Sequence, residues 1–214
     1  FPEKNGSIEP LKEIFNLERE EDFPVIIAAL AYILRGCPNS HGTYPVIVAT
    51  GREGSAKSTF MKIIKKLDDP GTPSTRTPTA DLKDLFIGAN NVLVYSLDNV
   101  SFFNHEMSDA LCSLATGGGF ARKTNYTDDE ETIFDIRRAI LLNGISFDIA
   151  PDLLSRSILI ELRPPSVYRT EEEIWATVER IRASVLGGLL TMISDAMRNE
   201  QIIKLEQSKS EKDD

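Results

Sequence analysis

The residues best suited to chemistry form one short glycine-containing stretch in the first third of the chain. An apolar run, residues 45–49, comes before it, and a helical pattern of apolar residues follows it. A strand, a glycine-containing loop and a helix that opens with Lys-Ser-Thr are the setting of a phosphate-binding P-loop. The loop N–H groups, the free N–H groups of the helix N-terminus and the helix dipole favour phosphates at this point. The predicted nucleotide-binding residues are Gly51, Arg52, Glu53, Gly54, Ser55, Ala56, Lys57, Ser58 and Thr59.

Within this loop, Lys57 is predicted to bridge the β- and γ-phosphates of ATP, and the Ser58 hydroxyl to bind Mg²⁺ with Thr59 packed behind it. Ala56 departs from the usual pattern, which has glycine just before the lysine. Alanine accepts a right-handed helical conformation, but a positive φ strains it and its methyl could crowd a phosphate. We expect Ala56 to be tolerated. The alternative interpretation is a Gly/Ser turn with an incidental lysine.

A second polar pair, Asp98 and Asn99, ends the buried-strand pattern of residues 92–97, about forty residues after Lys57. A carboxylate at the carboxyl end of a parallel strand beside a P-loop can hold Mg²⁺ together with the loop hydroxyl. Asp98 is therefore the predicted second metal residue, with Ser58 as the first. The alternative is a turn that ends a strand, because Asp and Asn both favour turns.

Composition limits the classes of function. The chain has 214 residues, 41% of them hydrophobic, which is enough for one sizeable core in one or two domains. Its net charge of -9 argues against a protein that coats nucleic acid by bulk charge, so any such contact must be local. Cys37 and Cys112 lack metal-ligand spacing, which predicts reduced, mostly buried thiols and a cytoplasmic protein. No signal peptide is visible, and the apolar run 23–34 is too short to cross a bilayer.

The remaining elements follow from periodicity and from helix caps. Ser7, Asp22 and Thr79 are predicted to cap helices, and the P-loop helix should end near residue 67. Strands are predicted at 92–97, 139–142 and 157–162, with a helix over 105–115 and a β-hairpin formed by 120–126 and 132–136. Helices from residue 170 to about 205 should form a small lid, and the charged tail from residue 207 should be disordered.

The order of these features resembles the AAA+ ATPase core of superfamily 3 helicases and of phage and plasmid primase-helicases. The series comprises the P-loop, Asp98-Asn99, the stretch from Leu114-Ala115-Thr116-Gly117-Gly118 to Tyr126, Leu141-Leu142-Asn143, and Arg156 just before a strand. It resembles still more closely a group of mobile-element ATP-binding proteins that carry Gly-Ser-Ala-Lys-Ser-Thr and Ala-Thr-Gly-Gly-Gly-Phe. The resemblance covers about residues 40 to 165.

That resemblance implies an α/β P-loop NTPase of AAA+ type: a central parallel sheet flanked by helices, with an inserted β-hairpin and a small C-terminal helical part. The predicted segments are an N-terminal helical segment (1–40), the ATPase core (41–165), a helical lid (166–206) and a charged tail (207–214). The family also implies a ring of identical subunits, possibly six, around DNA or RNA, with ATP at the subunit interfaces.

By match of position, Asn143 would be the polar sensor that holds the attacking water, and Arg156 the finger that reaches the neighbouring subunit's nucleotide. A permanently charged, planar guanidinium suits the finger role because it can stabilise charge on the transferred phosphoryl group. The alternatives are a turn residue at a strand end for Asn143 and a surface ion pair for Arg156.

Two departures from the family pattern affect the predicted function. Asn99 stands where the family has a second acidic residue, and an amide can orient water but cannot take its proton. In the hairpin, family members often carry an acidic and a basic residue at the positions of Gly119 and Asn125. Arg122 and Lys123 are then the nearest candidates for nucleic-acid contact. The alternative is a solvated strand face, since the hairpin tip is acidic.

Together these features predict a Mg-ATP-hydrolysing motor or switch in a replication-related, DNA-binding homo-oligomer, with single-stranded DNA or a replication protein as partner and no membrane. The predicted catalytic residues are Lys57, Asp98, Asn99, Asn143 and Arg156. One alternative is an ATP-dependent interaction module with little turnover, which Asn99 keeps open. The other is a small-molecule phosphotransferase, which would need a phosphate-acceptor pocket of its own.

Overall fold

The computed structural model of the protein describes residues 1–36, 42–79, 81–101, 104–118, 120–123, 131–134, 136–144 and 149–210, with the backbone alone described for 120–123, 131–134 and 202–210. Its strands are β1 (Val46–Thr50), β2 (Val94–Leu97), β3 (Phe120–Lys123), β4 (Glu131–Phe134), β5 (Ala139–Asn143) and β6 (Ser157–Glu161). Its α-helices are α1 (Asp22–Arg35), α2 (Lys57–Asp68), α3 (Leu82–Asn90), α4 (His105–Thr116), α5 (Pro151–Ser155) and α6 (Glu171–Ser210), and a 3-10 helix spans Glu9–Glu13.

Four strands form an all-parallel sheet in the order β2-β5-β1-β6. β2 and β5 are buried along their whole length because helices cover both faces, which explains their nearly continuous apolar sequences. The parallel sheet flanked by helices confirms the predicted α/β P-loop NTPase fold.

Alternate residues of the strands supply two hydrophobic cores. Ile47 and Leu141 point to one side of the sheet, where they belong to the cluster that includes α1, α2 and α6. Val48 and Ile140 point to the other side, where they join α3 and α4. The two cores fix the sheet between layers of helices, so the ends of the strands hold defined positions for a site.

β3 and β4 pair in antiparallel register and form the predicted hairpin as a separate two-stranded sheet. Arg122 lies opposite Thr132, and Lys123 lies opposite Glu131. The predicted extension of the first strand to residue 126 lies outside the described residues.

The C-terminal part differs from the prediction of several helices, because α6 is one continuous helix of 40 residues. Val178, Val185 and Leu189 of α6 are buried in the same core as α1 and β1. The helix includes residues 207–210, so their predicted disorder is wrong for the backbone, while 211–214 lie outside the described residues. The division of the chain into four segments stays a prediction, and residues from the first three contribute to one core.

Two predicted caps are placed differently. Asp22 is the first residue of α1, and its carboxylate accepts hydrogen bonds from the Arg19 guanidinium at 2.9 and 3.2 Å, so it does not cap the helix. α3 begins later than predicted, because Asp81 caps it by accepting the Lys83 N–H at 2.8 Å. Within the described residues, no helix is both long enough and apolar enough to span a membrane.

Candidate functional site

The loop between β1 and α2 has the geometry of a P-loop, and Gly51 is the residue that permits it. Gly51 has φ +138°, and a Cβ there would lie 2.2 Å from the Leu162 carbonyl oxygen. The Leu162 N–H donates to the Thr50 carbonyl at 2.9 Å, so the chain leaves the sheet in close contact with the end of β6. Only glycine fits this approach, both because of its φ and because of the missing Cβ.

Ala56 immediately precedes α2 and has a left-handed conformation, φ 59° and ψ 32°. Ala56 is therefore accommodated in the loop with a positive φ, a conformation that is strained for alanine. A non-glycine residue costs roughly 1–2 kcal/mol in this conformation. Such strain is found where the surrounding structure over-determines the backbone, as in ligand-binding loops.

Lys57 is the first residue of α2, and its ammonium lies against the loop. Its Nζ donates to the carbonyl oxygens of Gly51 and Arg52, each at 2.9 Å. An ammonium has three N–H donors, so one is left for a phosphate oxygen. The first four N–H groups of α2 have no partner within the helix and point the same way. Both features place positive charge at the mouth of the loop.

Ser58, Asp98 and Asn143 meet beside that mouth. The Ser58 hydroxyl donates to Asp98 Oδ1 at 2.8 Å, and the Asn143 amide donates to Ser58 Oγ at 3.3 Å. Hydroxyl and carboxylate oxygens are the ligand types that Mg²⁺ prefers, and ligation by one or two protein oxygens is its usual mode with nucleotides. The pair Ser58 and Asp98 therefore fits a magnesium ion brought with a triphosphate.

The strand order explains how Asp98 comes to lie beside the P-loop helix. β2 is not the neighbour of β1, because β5 lies between them. Asn143, the last residue of β5, is 2% exposed and fills the gap between the P-loop helix and Asp98. The three residues meet because the carboxyl ends of parallel strands share one edge of the sheet.

Asn143 also shapes the turn after Asp98. Its Oδ1 accepts the Asn99 N–H at 2.5 Å, and its carbonyl oxygen accepts the Val100 N–H at 2.8 Å. Asn99 has φ 59°, a left-handed conformation that asparagine accepts more readily than most residues. The backbone of Asn99 thus forms a turn at the end of β2, as the alternative interpretation predicts. Asn99 also lines the cleft.

The site opens into a cleft of about 420 Å³, and a second cavity of about 400 Å³ shares part of the loop as its lining. The cleft is lined by Glu53, Gly54, Ser55, Ala56, Lys57, Ser58, Thr59, Asp98, Asn99, Asn143 and Gly144. Ile14, Phe60 and Val167 contribute apolar surface to the second cavity, and Tyr168, 79% exposed, stands beside it. No sequence motif marks this cavity, because its walls come from segments that are far apart in the chain.

Arg156 lies at the opposite edge of the sheet. It follows α5 and precedes β6, and its carbonyl oxygen accepts the Val46 N–H at 3.4 Å, where β1 begins. The P-loop starts where β1 ends, and a five-residue strand spans roughly 13 Å. Arg156 is therefore not brought together with the other predicted site residues of its own chain.

The Arg156 side chain is 38% exposed and paired with the carboxylate of Asp152, four residues earlier. The hydrogen bond from Arg156 lowers the pKa of Asp152, and the same pairing raises the pKa of Arg156. Burial, followed by a hydrogen bond with Asp152, raises the pKa of the nearby Cys112 thiol to about 11. Cys112 is thus a buried, protonated thiol, as predicted, while Cys37 lies outside the described residues.

Arg122 and Lys123 are consecutive residues of β3, away from the central sheet. Consecutive residues of a strand alternate between its two faces. Their role in nucleic-acid contact stays a prediction.

Comparison with known proteins places the chain among replication proteins. The family described as actinomycete integrative conjugative element replication protein matches residues 13–205, and no curated protein matches the sequence. Among solved structures, the A form apo structure of the NrS-1 C-terminal region aligns with a TM-score of 0.59 and 18% identity over 88% of this chain and 46% of that one. A second apo structure of the NrS-1 C-terminal region aligns with a TM-score of 0.57 and 17% identity, over 87% and 47%.

The chain thus spans about half the length of these NrS-1 structures, and at such identities the likeness shows the fold alone. A JCV helicase structure aligns at a TM-score of 0.43, too low to support an inference. The family match extends over most of the sequence and confirms the predicted kinship with mobile-element proteins. The chain belongs to the family of actinomycete integrative conjugative element replication proteins, and it has an α/β P-loop NTPase fold.

Proposed function

We propose that this chain binds Mg-ATP and hydrolyses it as the motor or nucleotide switch of a DNA-replication assembly. The observation that carries the proposal is the meeting of Ser58, Asp98 and Asn143 beside the loop that holds Lys57. An oxygen pair for a divalent cation, a lysine at the loop and the free N–H groups of a helix are the parts that a nucleoside triphosphate needs. Mg²⁺, when bound with the nucleotide, would neutralise charge on the β- and γ-phosphates.

The two cavities around the loop suit the two halves of a nucleotide. The cleft beside Lys57 and Asp98 is polar and would take the triphosphate. The second cavity, with Ile14 and Phe60 in its wall and Tyr168 at its side, is suited to a planar base, because aromatic and aliphatic groups bury a base without competing for hydrogen bonds. Gly54, Ser55 and Ala56 line both cavities, so one ligand can extend from one to the other.

Arg156 supports a shared site between subunits. It lies at the other edge of the sheet from the P-loop and is more than a third exposed, so its guanidinium is available to a second copy of the chain. The proposed assembly is a homo-oligomeric ring in which Arg156 of one subunit stabilises charge on the phosphoryl group bound by the next.

The proposed DNA contact rests on the family and on the hairpin. Replication proteins act on nucleic acid, and a chain with a net charge of -9 needs a local basic element for that purpose. Arg122 or Lys123, repeated around a ring, would provide one. We expect only one of the two to face the pore, since they alternate along β3.

A second candidate is an ATP-dependent interaction module with little turnover. Asn99 favours it, because the amide at this position cannot accept a proton from water and its left-handed backbone disfavours a glutamate in its place. A small-molecule phosphotransferase gains no support from Arg156, whose position suits a partner subunit rather than a small acceptor.

Removal of the Lys57 ammonium tests the nucleotide site. Lys57→Ala should weaken Mg-ATP binding by at least tenfold, about 1.4 kcal/mol, because this is the side chain that brings positive charge to the phosphates. Titration calorimetry measures the affinity. Lys66→Ala is the matched control, since Lys66 lies on the same helix, pairs with Glu179 and does not line the cleft. Equal affinity in the Lys57 variant and the control would exclude the P-loop interpretation.

Turnover and assembly separate the motor from the switch. A motor should show an ATPase rate that rises with single-stranded DNA and a molecular mass in solution that corresponds to several chains. A nucleotide switch should bind Mg-ATP with the same Lys57 dependence and show little turnover with or without DNA.

A further inference from the structure

A group that takes a proton from water would assist hydrolysis in the cleft, and the predicted catalytic residues do not provide it. Asp98 accepts the Ser58 hydroxyl at 2.8 Å and belongs to the proposed metal pair. Asn99 and Asn143 carry amides, which are not bases at neutral pH. Asn143 is further committed to Ser58 and to the N–H of Asn99. A carboxylate must therefore come from another element.

Glu53 is the remaining carboxylate among the described residues that line the cleft. It is the third residue of the loop, Gly51 to Thr59, and is exposed. It lines the cavity that contains Asp98 and Asn143, whereas the loop residues that line the second cavity begin at Gly54. Glu53 is thus a residue of the cleft proposed for the triphosphate and not of the cavity proposed for the nucleobase.

The carboxylate of Glu53 is also free to act. Within the part of the chain that the structure describes, it has neither a hydrogen bond nor an ion pair with another side chain. Gly51 and Arg52 are the two residues before Glu53, and their carbonyl oxygens each accept the Lys57 ammonium at 2.9 Å. The Lys57 charge therefore lies close to the backbone at Glu53. Lys57 is the group proposed to contact the γ-phosphate, which puts Glu53 at the end of the cleft where water would attack.

We propose that Glu53, a residue of the phosphate-binding loop itself, is the general base that activates water in this protein. This inference rests on the proposed function, and it names the residue that takes the proton at that same site. Glu53 would replace the carboxylate that is missing at position 99.

The step balances as follows in atoms and charge. The water oxygen forms a bond to the γ-phosphorus, and the bond between that phosphorus and the β,γ-bridging oxygen breaks. The bridging oxygen keeps the electron pair and leaves as part of ADP. The Glu53 carboxylate takes one proton from the attacking water and then releases it to solvent, so the products are ADP, inorganic phosphate and one proton.

The Glu53 carboxylate has a second consequence, because it carries negative charge, as the phosphates beside it do. It should weaken ATP binding, since negative charges repel across a partly exposed cleft. Removing its charge should therefore change binding and turnover in opposite directions. A merely structural role for Glu53 would not produce that combination.

The experiment compares Glu53→Gln with Glu106→Gln in the full chain, under conditions in which the parent protein turns over. Glu106 is an exposed glutamate in the first turn of α4 that does not line the cleft, so it is the matched control. Glu53→Gln should lower the ATPase rate by about 10²- to 10⁴-fold, the range of general-base effects. It should also raise Mg-ATP affinity, by up to about tenfold, measured by calorimetry.

Glu53→Asp and a pH profile complete the test. The aspartate keeps the charge but shortens the reach by one methylene, so it should keep the affinity of the parent and lose part of the turnover. The fall in turnover at acidic pH that belongs to the carboxylate should be present in the parent and absent from Glu53→Gln. Equal thermal midpoints for the variants and the parent would show that the fold is intact.

The outcomes distinguish this inference from the proposed function. A Glu53→Gln protein with parental turnover overturns the inference, and Lys57-dependent ATP binding would still support the nucleotide site. A parent protein that binds ATP but never turns it over removes the role of Glu53 and leaves the switch. A parent that does not bind Mg-ATP overturns both.

Discussion

The carboxyl ends of the parallel strands form one edge of the sheet and their amino ends form the other, and charged residues have different roles at these two edges. At the carboxyl edge, Lys57, Ser58 and Asp98 meet around a cleft of about 420 Å³ that opens to solvent. At the amino edge, Lys65 is 2% exposed and pairs with Asp69, whose carboxylate also accepts the Val94 N–H at 2.9 Å where β2 begins. The first set leaves donors and acceptors for a ligand, whereas the second is consumed in holding α2 to the sheet.

Arg156 is the exception at the amino edge. Its only ion-pair partner among the described residues is Asp152 on the same short helix, and it lines an open groove of about 670 Å³. Lys65 is buried, and its partner Asp69 also binds the start of β2, so this charge holds two elements together. Arg156 is 38% exposed, and its hydrogen bonds go to Asp152 and Ser155 of the same short helix, an arrangement that suits the proposed contact with another copy of the chain. In the proposed ring, the carboxyl edge of one copy and the amino edge of the next would together form one active site.

The largest expected effect tests that division directly. Arg156→Ala should keep Mg-ATP affinity nearly intact and lower turnover by 10³-fold or more, because a finger acts on charge in the transition state. Mixing this variant with Lys57→Ala should restore part of the activity, since some interfaces then combine an intact P-loop with an intact arginine. ATPase rates across mixing ratios measure the recovery.

Arg198→Ala is the control for this experiment, because Arg198 is an exposed arginine on α6 paired only with Asp195 among the described residues. It should behave as the parent. Two inactive variants that associate and still show no recovery would contradict a site shared between subunits, and the two edges would then be functionally separate.

A smaller effect is expected from Asp68, the buried carboxyl group of the amino edge. Asp68 is 7% exposed, and neither carboxylate oxygen has a hydrogen-bond partner among the described residues. Burial, and then the charge of Asp69, raises its pKa from 3.8 to about 8. The folded protein holds a proton that the unfolded chain releases between these values, so stability should fall as pH rises from about 4 to about 8.

Each pH unit in that window corresponds to at most about 1.4 kcal/mol, or about 3–5 °C in thermal midpoint for a chain of this size. Asp68→Asn keeps the shape of the side chain and cannot ionise, so the difference in thermal midpoint between variant and parent should grow with pH up to about 8. Asp195→Asn, on the exposed face of α6, is the control and should show no such trend. Thermal midpoints that depend on pH in the same way for Asp68→Asn and the parent would show that the buried carboxyl group has a hydrogen-bond partner in the folded protein.

The smallest effect concerns the strained loop of the carboxyl edge. Ala56→Gly should stabilise the protein by up to about 1 kcal/mol, because glycine accepts the left-handed conformation without the strain of alanine. The same substitution at Ala176, an exposed position within α6, should destabilise by about 1 kcal/mol, because glycine is a poor helix former. Chemical denaturation of both variants measures the two signs. A loss of stability in Ala56→Gly would mean that the loop relaxes in solution to a right-handed conformation.

The amino-acid sequence by itself determined the parts of the site whose signals are local. The P-loop was predicted because strand, glycine turn, lysine and helix are contiguous, and each imposes its conformation on its immediate neighbours. Asp98 is predicted because an apolar run that ends in a polar residue marks the end of a strand, and the hairpin because two strand-like runs surround a turn-forming segment. The role of Asn143 and the central parallel sheet come from the resemblance to a known family, which depends on the order of several motifs.

Local signals were wrong at two helix starts and in the C-terminal helix. Asp22 and Thr79 looked like helix caps, but Asp22 pairs with Arg19, and Asp81 supplies the cap of α3. The single helix α6 contains Gly187, which an isolated helix would disfavour; a Cβ there would lie 1.9 Å from the Glu3 carbonyl oxygen, so the N-terminal segment requires glycine at this contact.

Only the tertiary structure decided how these parts combine. The order β2-β5-β1-β6 places Asn143 between the P-loop helix and Asp98, and no residue near any one strand encodes which strand will be its neighbour. The same packing joins residues near positions 14 and 168 into a cavity beside the loop, and puts Glu53 on the cleft side and Arg156 on the far edge. Strand order and cavity walls depend on contacts between segments far apart in sequence, so the folded chain alone determines which predicted residues can act together.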